Sequence, residues 1–317
     1  MKNNTMKHLI PALVLFICWS CKKQIPQKTG APVPEEDTTQ LIHYHKDLTI
    51  VNWNIEWFGA VEFKGNPDQQ ETNVGKILKY LNADLFGICE VVDTARFGRM
   101  IRQNLGTDFK YVISAYPAID QQLAFVYNRN IFRKVQVRPF MALSATAYSN
   151  FASGRFPLLL KAEATVNDAR KNIFFILVHA KADKDLNAYA KRLNGAIELK
   201  DSMDTYFNNE NCMILGDYND NLDTSISTRQ RSPYQNFLDD NGHYLAVTLP
   251  LNTAGNQSTI NYANSVIDQQ IVSGALKRWY MPHSAKIRTD VTAVVPDYTS
   301  NSASDHYPVS SVYRIAN

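Results

Sequence analysis

The sequence predicts an α/β fold in which two mixed β-sheets pack face to face with helices on the outside, and three observations carry that expectation. Strand-like apolar runs alternate with stretches of helical period near both ends of the folded region. Between them a series of strand candidates follows without a helix, which rules out a purely parallel, doubly wound sheet. A chain of 317 residues with 45% hydrophobic content is long enough to bury one large core.

Residues 1–20 read as a targeting segment. Lys2 and Lys7 make a positive start, and the apolar run 9–19 is too short to cross a bilayer comfortably. Cys21 follows Ser20 and precedes Lys22-Lys23, an arrangement that resembles a bacterial lipoprotein signal with Cys21 as the lipidated residue. Cys18 and Trp19 stand where that signal usually has Leu and a small residue; ordinary cleavage or an uncleaved anchor are the alternatives. The expectation is an exported, cell-envelope protein held to a membrane by an N-terminal lipid. Residues 21–44 are rich in Lys, Gln, Pro, Thr, Gly and Glu, too polar to order themselves, and read as a tether. One domain over 45–317 is then the economical division.

Within it the first strand is expected at 48–53, followed by a helix around 73–81, a strand at 84–89 and a helix at 94–104. Strands follow at 111–115, 123–127, 132–137, 158–166 and 173–178. The longest helix is expected over 186–207, where Tyr189, Leu193, Ile197, Leu199 and Met203 fall near helical spacing. Apolar runs at 212–215, 265–272 and 309–315 complete the strands. Charged residues make up 20% and the net charge is +3, which does not describe a strongly basic nucleic-acid binder and leaves room for a local basic groove. Cys89 and Cys212 sit in apolar runs and read as buried small hydrophobes, a disulfide between them being the alternative in an exported chain.

Several strand ends carry chemistry. Ser304-Asp305-His306 offers a hard oxygen ligand and a titratable imidazole just before the last strand. Gly216-Asp217-Tyr218-Asn219 presents a carboxylate and an amide two residues apart, which on extended chain face one side. Asn52, Asn54 and Glu56 interrupt an apolar strand, where each needs a partner. Glu90 lies inside another apolar strand, and a buried Glu is paired or binds metal. His179 and Lys181 share a strand end, and Asp268 sits in a buried run where it requires a donor such as an imidazolium. Each has a plain alternative: a turn cap, a strand-end turn, a bracing Asn, or a salt bridge from Glu90 to an Arg.

In this order the motifs resemble the endonuclease/exonuclease/phosphatase superfamily, which includes DNase I-like nucleases, AP endonucleases, sphingomyelinases and inositol-phosphate 5-phosphatases. The resemblance runs from Asn54 through Glu90, His179, Asp217 with Asn219 and Asp268 to Asp305-His306. It implies a four-layer α/β sandwich and a metal-dependent phosphodiesterase. It further implies that Glu90, with Asp305 and the Asn54/Glu56 segment, holds Mg²⁺ or Mn²⁺ against a phosphate oxygen. Asp217 then orients or deprotonates the attacking water, and Asn219 fixes the phosphate. His306, oriented by Asp268, donates to the transition state, and His179 is a candidate general acid. Asn54, Asn219, Arg155 and Lys181 are the implied phosphate contacts, while the Lys191-Arg192-Leu193 stretch only packs.

Two departures stand out. Gln269 follows Asp268 where many members have His, and Phe156 replaces the first Pro of an Arg-Pro-Pro segment at Arg155. The strings characteristic of the 5-phosphatase branch are missing from 212–222 and 262–271, whereas Gly-Asp-Tyr-Asn-Asp, Asn-Ile-Glu-Trp-Phe and His-Ala-Lys look like secreted bacterial nucleases. The leading expectation is therefore an envelope-attached nuclease acting on DNA or RNA as a monomer. A phosphodiesterase or phosphatase on lipid or sugar phosphates is the alternative, and an inactive ligand-binding surface lipoprotein a third reading.

Overall fold

A computed structural model describes residues 46–62, 65–116, 120–274 and 276–316. The expected signal segment, Cys21 and the tether lie outside these residues. In chain order the elements are β1 (Leu48–Phe58), α1 (Pro67–Leu81), β2 (Leu85–Val91), α2 (Thr94–Leu105), β3 (Phe109–Ile113), β4 (Gln122–Asn128), β5 (Phe132–Pro139), α3 (Ala145–Asn150), β6 (Leu158–Val166) and β7 (Ala169–His179). They continue with α4 (Leu186–Tyr206), β8 (Cys212–Asp217), α5 (Gln235–Asp239), β9 (Tyr244–Ala246), α6 (Leu249–Thr253), β10 (Asp268–Ser273), α7 (Leu276–Trp279), β11 (Lys286–Ile287), a 3-10 turn at Thr289–Ala293 and β12 (Val309–Tyr313). Among the described residues no helix is long and apolar enough to cross a membrane.

The strands form two six-stranded sheets, ordered β11-β12-β1-β2-β4-β3 and β5-β6-β7-β8-β10-β9. Each contains one parallel pair, β1 with β2 and β7 with β8, amid antiparallel neighbours. The parallel pairs are joined through the helices α1 and α4, as parallel strands require a crossover. This is the expected sandwich of two mixed sheets.

Burial explains the layers. Leu85, Phe125, Leu160, Phe175, Leu177 and Leu215 fill the space between the sheets. Val74, Ile77, Phe86, Ile88, Phe97 and Met100 pack α1 and α2 on the outer face of the first sheet. Ile176, Ala196, Leu199, Met203 and Ile214 do the same for α4 on the second. Because both faces of β2 are covered, all seven of its residues are buried, which is why its sequence is a continuous apolar run rather than an alternating one. Cys89 lies in the inter-sheet layer and Cys212 in the outer layer of the second sheet, and both are free thiols, so the disulfide alternative does not hold.

The helices start where side chains can cap them. Asn66, Asp93, Ser144 and Asp185 each accept a backbone N–H from the first turn of α1, α2, α3 and α4. In α4 the buried face is Ala188, Arg192, Gly195, Ala196, Leu199 and Met203, rotated from the expected stripe, and Ile197 is exposed. The rotation follows from Arg192, which is buried and ion-paired to Asp220 with Nη2 3.0 Å from Oδ2. Arg192 therefore does more than pack.

Two local devices fix the strand ends. Asn167, at the tip of the β6–β7 hairpin, accepts from the Lys46 N–H at 2.8 Å and donates from Nδ2 to the carbonyls of Lys46 at 2.9 Å and Ile315 at 3.1 Å. Gly216 takes φ +132 in β8, and a Cβ there would sit 2.0 Å from the Val178 carbonyl oxygen. Only glycine lets β8 approach β7 this closely one residue before Asp217.

Candidate active site

The C-terminal ends of the two parallel pairs meet at one rim. Asn54 and Glu56 come from β1, Glu90 from β2, His179 from β7 and Asp217 from β8. Asp268 opens β10 directly opposite Asp217 in register, and Asp305-His306 leads into β12. The strand ends are irregular there: β1 and β2 lose register between Asn54 and Phe58, and β2 and β4 between Ile88 and Val91. Within these breaks Glu56, Trp57 and Glu90 take positive φ of 44, 49 and 68. Backbone strain of this kind re-aims side chains and persists only where surroundings enforce it.

Gln70 supplies much of that enforcement. Fully buried on α1, it accepts from the Gly59 N–H at 3.0 Å and donates to the carbonyls of Ile55 and Glu56, both at 2.9 Å, and of Ala303 at 3.2 Å.

Asn54 links the two sheets' carboxylates. Its Nδ2 donates to Glu90 Oε1 at 2.8 Å and to Asp217 Oδ2 at 3.0 Å, while its Oδ1 accepts from the Glu56 N–H at 2.9 Å. Glu90 also accepts from the Trp57 N–H at 2.9 Å and from Gln121 Nε2 at 2.7 Å. Glu56 accepts from the Asp305 N–H at 2.7 Å and the Ser300 hydroxyl at 2.5 Å, so it holds the Asp305 segment against β1.

Asp217 and Asn219 are brought together differently from the expected strand alternation. Asn219 has φ 52 and lies beyond the strand, and its N–H donates to Asp217 Oδ1 at 2.8 Å in an Asx turn. Its Nδ2 donates to Asp217 Oδ2 and the Ala180 carbonyl, both at 3.2 Å.

Both imidazoles approach the same oxygen of Asp217, Oδ2. His306 Nδ1 is 2.8 Å from Asp268 Oδ2, and its Nε2 points between Asp217 Oδ2 at 3.9 Å and Asp305 Oδ1 at 3.7 Å. His179 Nε2 lies 3.5 Å from Glu90 Oε1 and 3.6 Å from Asp217 Oδ2. Their charge states differ. Burial alone would lower the His306 pKa, but Asp268, Asp217 and Asp305 outweigh it and hold it well above the usual range, as an imidazolium. Burial, reinforced by Arg155 and His306, pushes His179 well below, as a neutral ring. A neutral His179 hydrogen-bonds rather than surrendering a full proton, which bears on the general-acid role implied for it.

Burial raises the pKa of Glu90 and of Asp217, and that of Asp305 to about 6, with Glu56 and Glu90 adding to the last. Such a knot of carboxylates is short of positive charge. Ligand atoms of Glu90, His179 and Asp217 lie within 4.8 Å of one another; those of Asp217, Asp268 and His306 do too, but there the imidazolium already supplies the positive charge. The buried oxygens Asp305 Oδ1 and Asp268 Oδ1 have no hydrogen-bond partner. Hard oxygen donors, raised carboxyl pKa values and orphaned oxygens together fit a divalent cation.

Two expected phosphate contacts are otherwise engaged. Arg155 is buried and donates to the His179 carbonyl at 3.1 Å, the Ala180 carbonyl at 3.0 Å and Gln121 Oε1 at 2.7 Å, so it braces the β7 end. Lys181 Nζ is 2.5 Å from Asp183 Oδ2, with which it is ion-paired. Sequence reasoning missed Gln70, Gln121, Asn261 and Ser258, the last donating to Asp268 Oδ2 at 2.7 Å. Only Gln70, a polar residue on the buried side of an amphipathic run, left a signal to find.

No family model matches the sequence, and no curated protein is significantly similar to it. Solved structures of similar fold include an endonuclease/exonuclease/phosphatase from Bacteroides vulgatus, at TM-score 0.60 and 13% identity over 86% of this chain and 100% of that one. The human nocturnin catalytic domain aligns at TM-score 0.59 and 14% identity, over 84% of this chain and 94% of its own. A Bacteroides thetaiotaomicron mannosyl-6-phosphatase aligns at TM-score 0.54 and 15% identity, over 85% and 100%.

Proposed function

We propose that this chain, whose fold is that of the endonuclease/exonuclease/phosphatase proteins, is a divalent-metal-dependent phosphoester hydrolase, and specifically a phosphodiesterase that cleaves nucleic acid. The observation that carries the reading is the convergence of Glu90, Asp217, Asp268 and Asp305 with the imidazoles of His179 and His306 on one rim.

Glu90 and Asp305, linked through Asn54 and Glu56, would hold Mg²⁺ or Mn²⁺. When bound, the cation neutralises charge developing on the phosphoryl and leaving oxygens. The remaining work belongs to side chains. Asp217, its pKa raised by burial, is fixed by Asn54 and Asn219 to orient the attacking water and accept its proton. The His306 imidazolium, held by Asp268, donates to a phosphoryl oxygen in the gap it faces between Asp217 and Asp305. His179, neutral, donates from Nε2 beside Glu90.

The nuclease reading is tested by incubating the protein with plasmid DNA, RNA, sphingomyelin, an inositol phosphate and mannose 6-phosphate, each with Mg²⁺ or EDTA. Metal-dependent cleavage of nucleic acid is expected, lost by orders of magnitude in Glu90→Ala and His306→Ala. No turnover of DNA or RNA would sink it, and activity surviving in both variants would sink the site. Envelope attachment at Cys21 is part of the proposal; it is supported by the charged start, the short apolar run and the flanking Cys. Loss of acyl labelling in Cys21→Ala would bear it out.

A further inference from the structure

Beside the catalytic rim two loops are clasped by a cation and a ring. Lys184 Nζ sits 3.7 Å from the centroid of Tyr262. Lys184 belongs to the loop after His179, whose carbonyls at Lys181 and Asp183 are pinned by buried Arg192 at 2.9 and 2.8 Å. The same loop reaches the catalytic turn, since the Ala180 carbonyl accepts from Asn219 Nδ2. Tyr262 belongs to the loop that carries the other edge: the Ile260 N–H donates to the Asp305 carbonyl at 2.8 Å and Asn261 Nδ2 to Asp305 Oδ2 at 2.6 Å. Thr259 forms a β-bridge with His306. Lys184 is thus mounted on a loop held by Arg192 and Asn219, and Tyr262 on one tied to Asp305 and His306.

The clasp is exchangeable. Lys184 is exposed and, among the described residues, makes no ion pair, unlike its neighbour Lys181. Exposed cation–π contacts shift an equilibrium by less than about tenfold. Stacking of one unpaired base on an aromatic ring is worth roughly five- to a hundredfold, and a phosphate attracts an ammonium more strongly than a ring does. A strand that offers both a base and a phosphate can therefore take each partner from the other.

We propose that Lys184 and Tyr262 form a nucleotide subsite next to the scissile phosphate, which selects single-stranded nucleic acid. Tyr262 stacks on the base flanking the cleaved bond, and Lys184 moves from the ring to the adjoining phosphate. This rests on the nuclease reading and adds to it a substrate form, since a duplex keeps its bases stacked on one another.

The test compares kcat/KM of the full chain on a single-stranded oligonucleotide with that on bis(p-nitrophenyl) phosphate, which has no base and no second phosphate. Tyr262→Ala is expected to lower the oligonucleotide-to-diester ratio by about tenfold, and Tyr262→Phe, which keeps the ring, to retain it. Lys184→Ala is expected to lower the ratio similarly and to reduce the slope of log affinity against log salt by about 0.7. Wild-type turnover of the oligonucleotide with an unchanged ratio in Tyr262→Ala overturns the subsite alone. Turnover of the small diester without the oligonucleotide overturns the nuclease reading and the subsite with it. A Tyr262→Ala loss that falls on mannose 6-phosphate instead assigns the ring to a sugar and overturns the nucleotide subsite.

Discussion

His306 Nδ1 and Asp268 Oδ2, 2.8 Å apart, join the two sheets at the rim of the candidate site: Asp268 begins β10 of one sheet and His306 leads into β12 of the other. The bond orients the ring and sustains its positive charge, so that the free Nε2 is a donor aimed at the gap between Asp217 and Asp305. Asp268→Asn preserves the shape and removes the charge. It is expected to lower kcat by about 10²–10⁴ with KM and melting temperature changed far less. Steady-state kinetics beside a thermal melt check this, and a fall confined to KM would contradict it.

Glu90 is buried, and its burial raises its pKa, so at neutral pH the ionised carboxylate costs the metal-free fold stability. Glu90→Gln in EDTA is expected to melt a few degrees above wild type while losing hydrolysis by orders of magnitude. Added Mn²⁺ should raise the wild-type melting temperature and leave that of Glu90→Gln nearly unchanged. Equal metal shifts in both proteins would remove Glu90 from the cation's ligands.

Gly216→Ala is expected to destabilise the fold by about 3–5 kcal/mol, because the added methyl meets the Val178 carbonyl and the backbone φ disfavours any side chain. A urea titration reads it. A cost under about 1 kcal/mol would mean that β7 and β8 can separate without consequence.

Asp240 tests the pH dependence of stability. Hydrogen bonding to Lys200, and then to His243, lowers its pKa from 3.8 to about 2. A depressed acid stabilises the fold above the unfolded value, and the contribution fades as pH falls from about 3.8 through about 2. The carboxylate is 28% exposed, so Asp240→Asn should cost no more than about 1 kcal/mol at pH 7, with the gap closing between pH 4 and 2. A gap that widens on acidification would contradict the assignment.

The layers were legible because apolar runs report burial directly. β6 occupies 158–166 as expected, and α2 extends the expected helix by only one residue, to Leu105. β1 outran its expected end at Trp53 because Asn54 and Glu56 look like a strand's end, whereas the strand runs on through a register break into the candidate site. The start of α1 was hidden by the polar run Pro67-Asp68-Gln69-Gln70, in which Gln70 faces inward. β9 and β11 are three and two residues long and exist only through register with β10 and β12, a relation no local pattern encodes. In the site, residues on strand ends could be singled out because a lone carboxylate in an apolar run is conspicuous. Gln121, Ser258 and Asn261 could not, since one polar residue in a polar loop differs from its neighbours only by whom it touches.

The side chain of Asn167 holds Lys46 and Ile315 together through three hydrogen bonds. Lys46 and Ile315, at the two ends of the described residues, therefore lie within a few ångströms of each other, at the end of the sandwich opposite the candidate site. A short peptide joining them would close the backbone into a ring without moving a strand. The same fold could then be opened at an exposed turn such as 106–108, giving a circular permutant in which α1 and the site-bearing end of β1 lie in the interior of a reordered sequence. The geometry of the candidate site belongs to the packing of the two sheets and is indifferent to where the chain is cut.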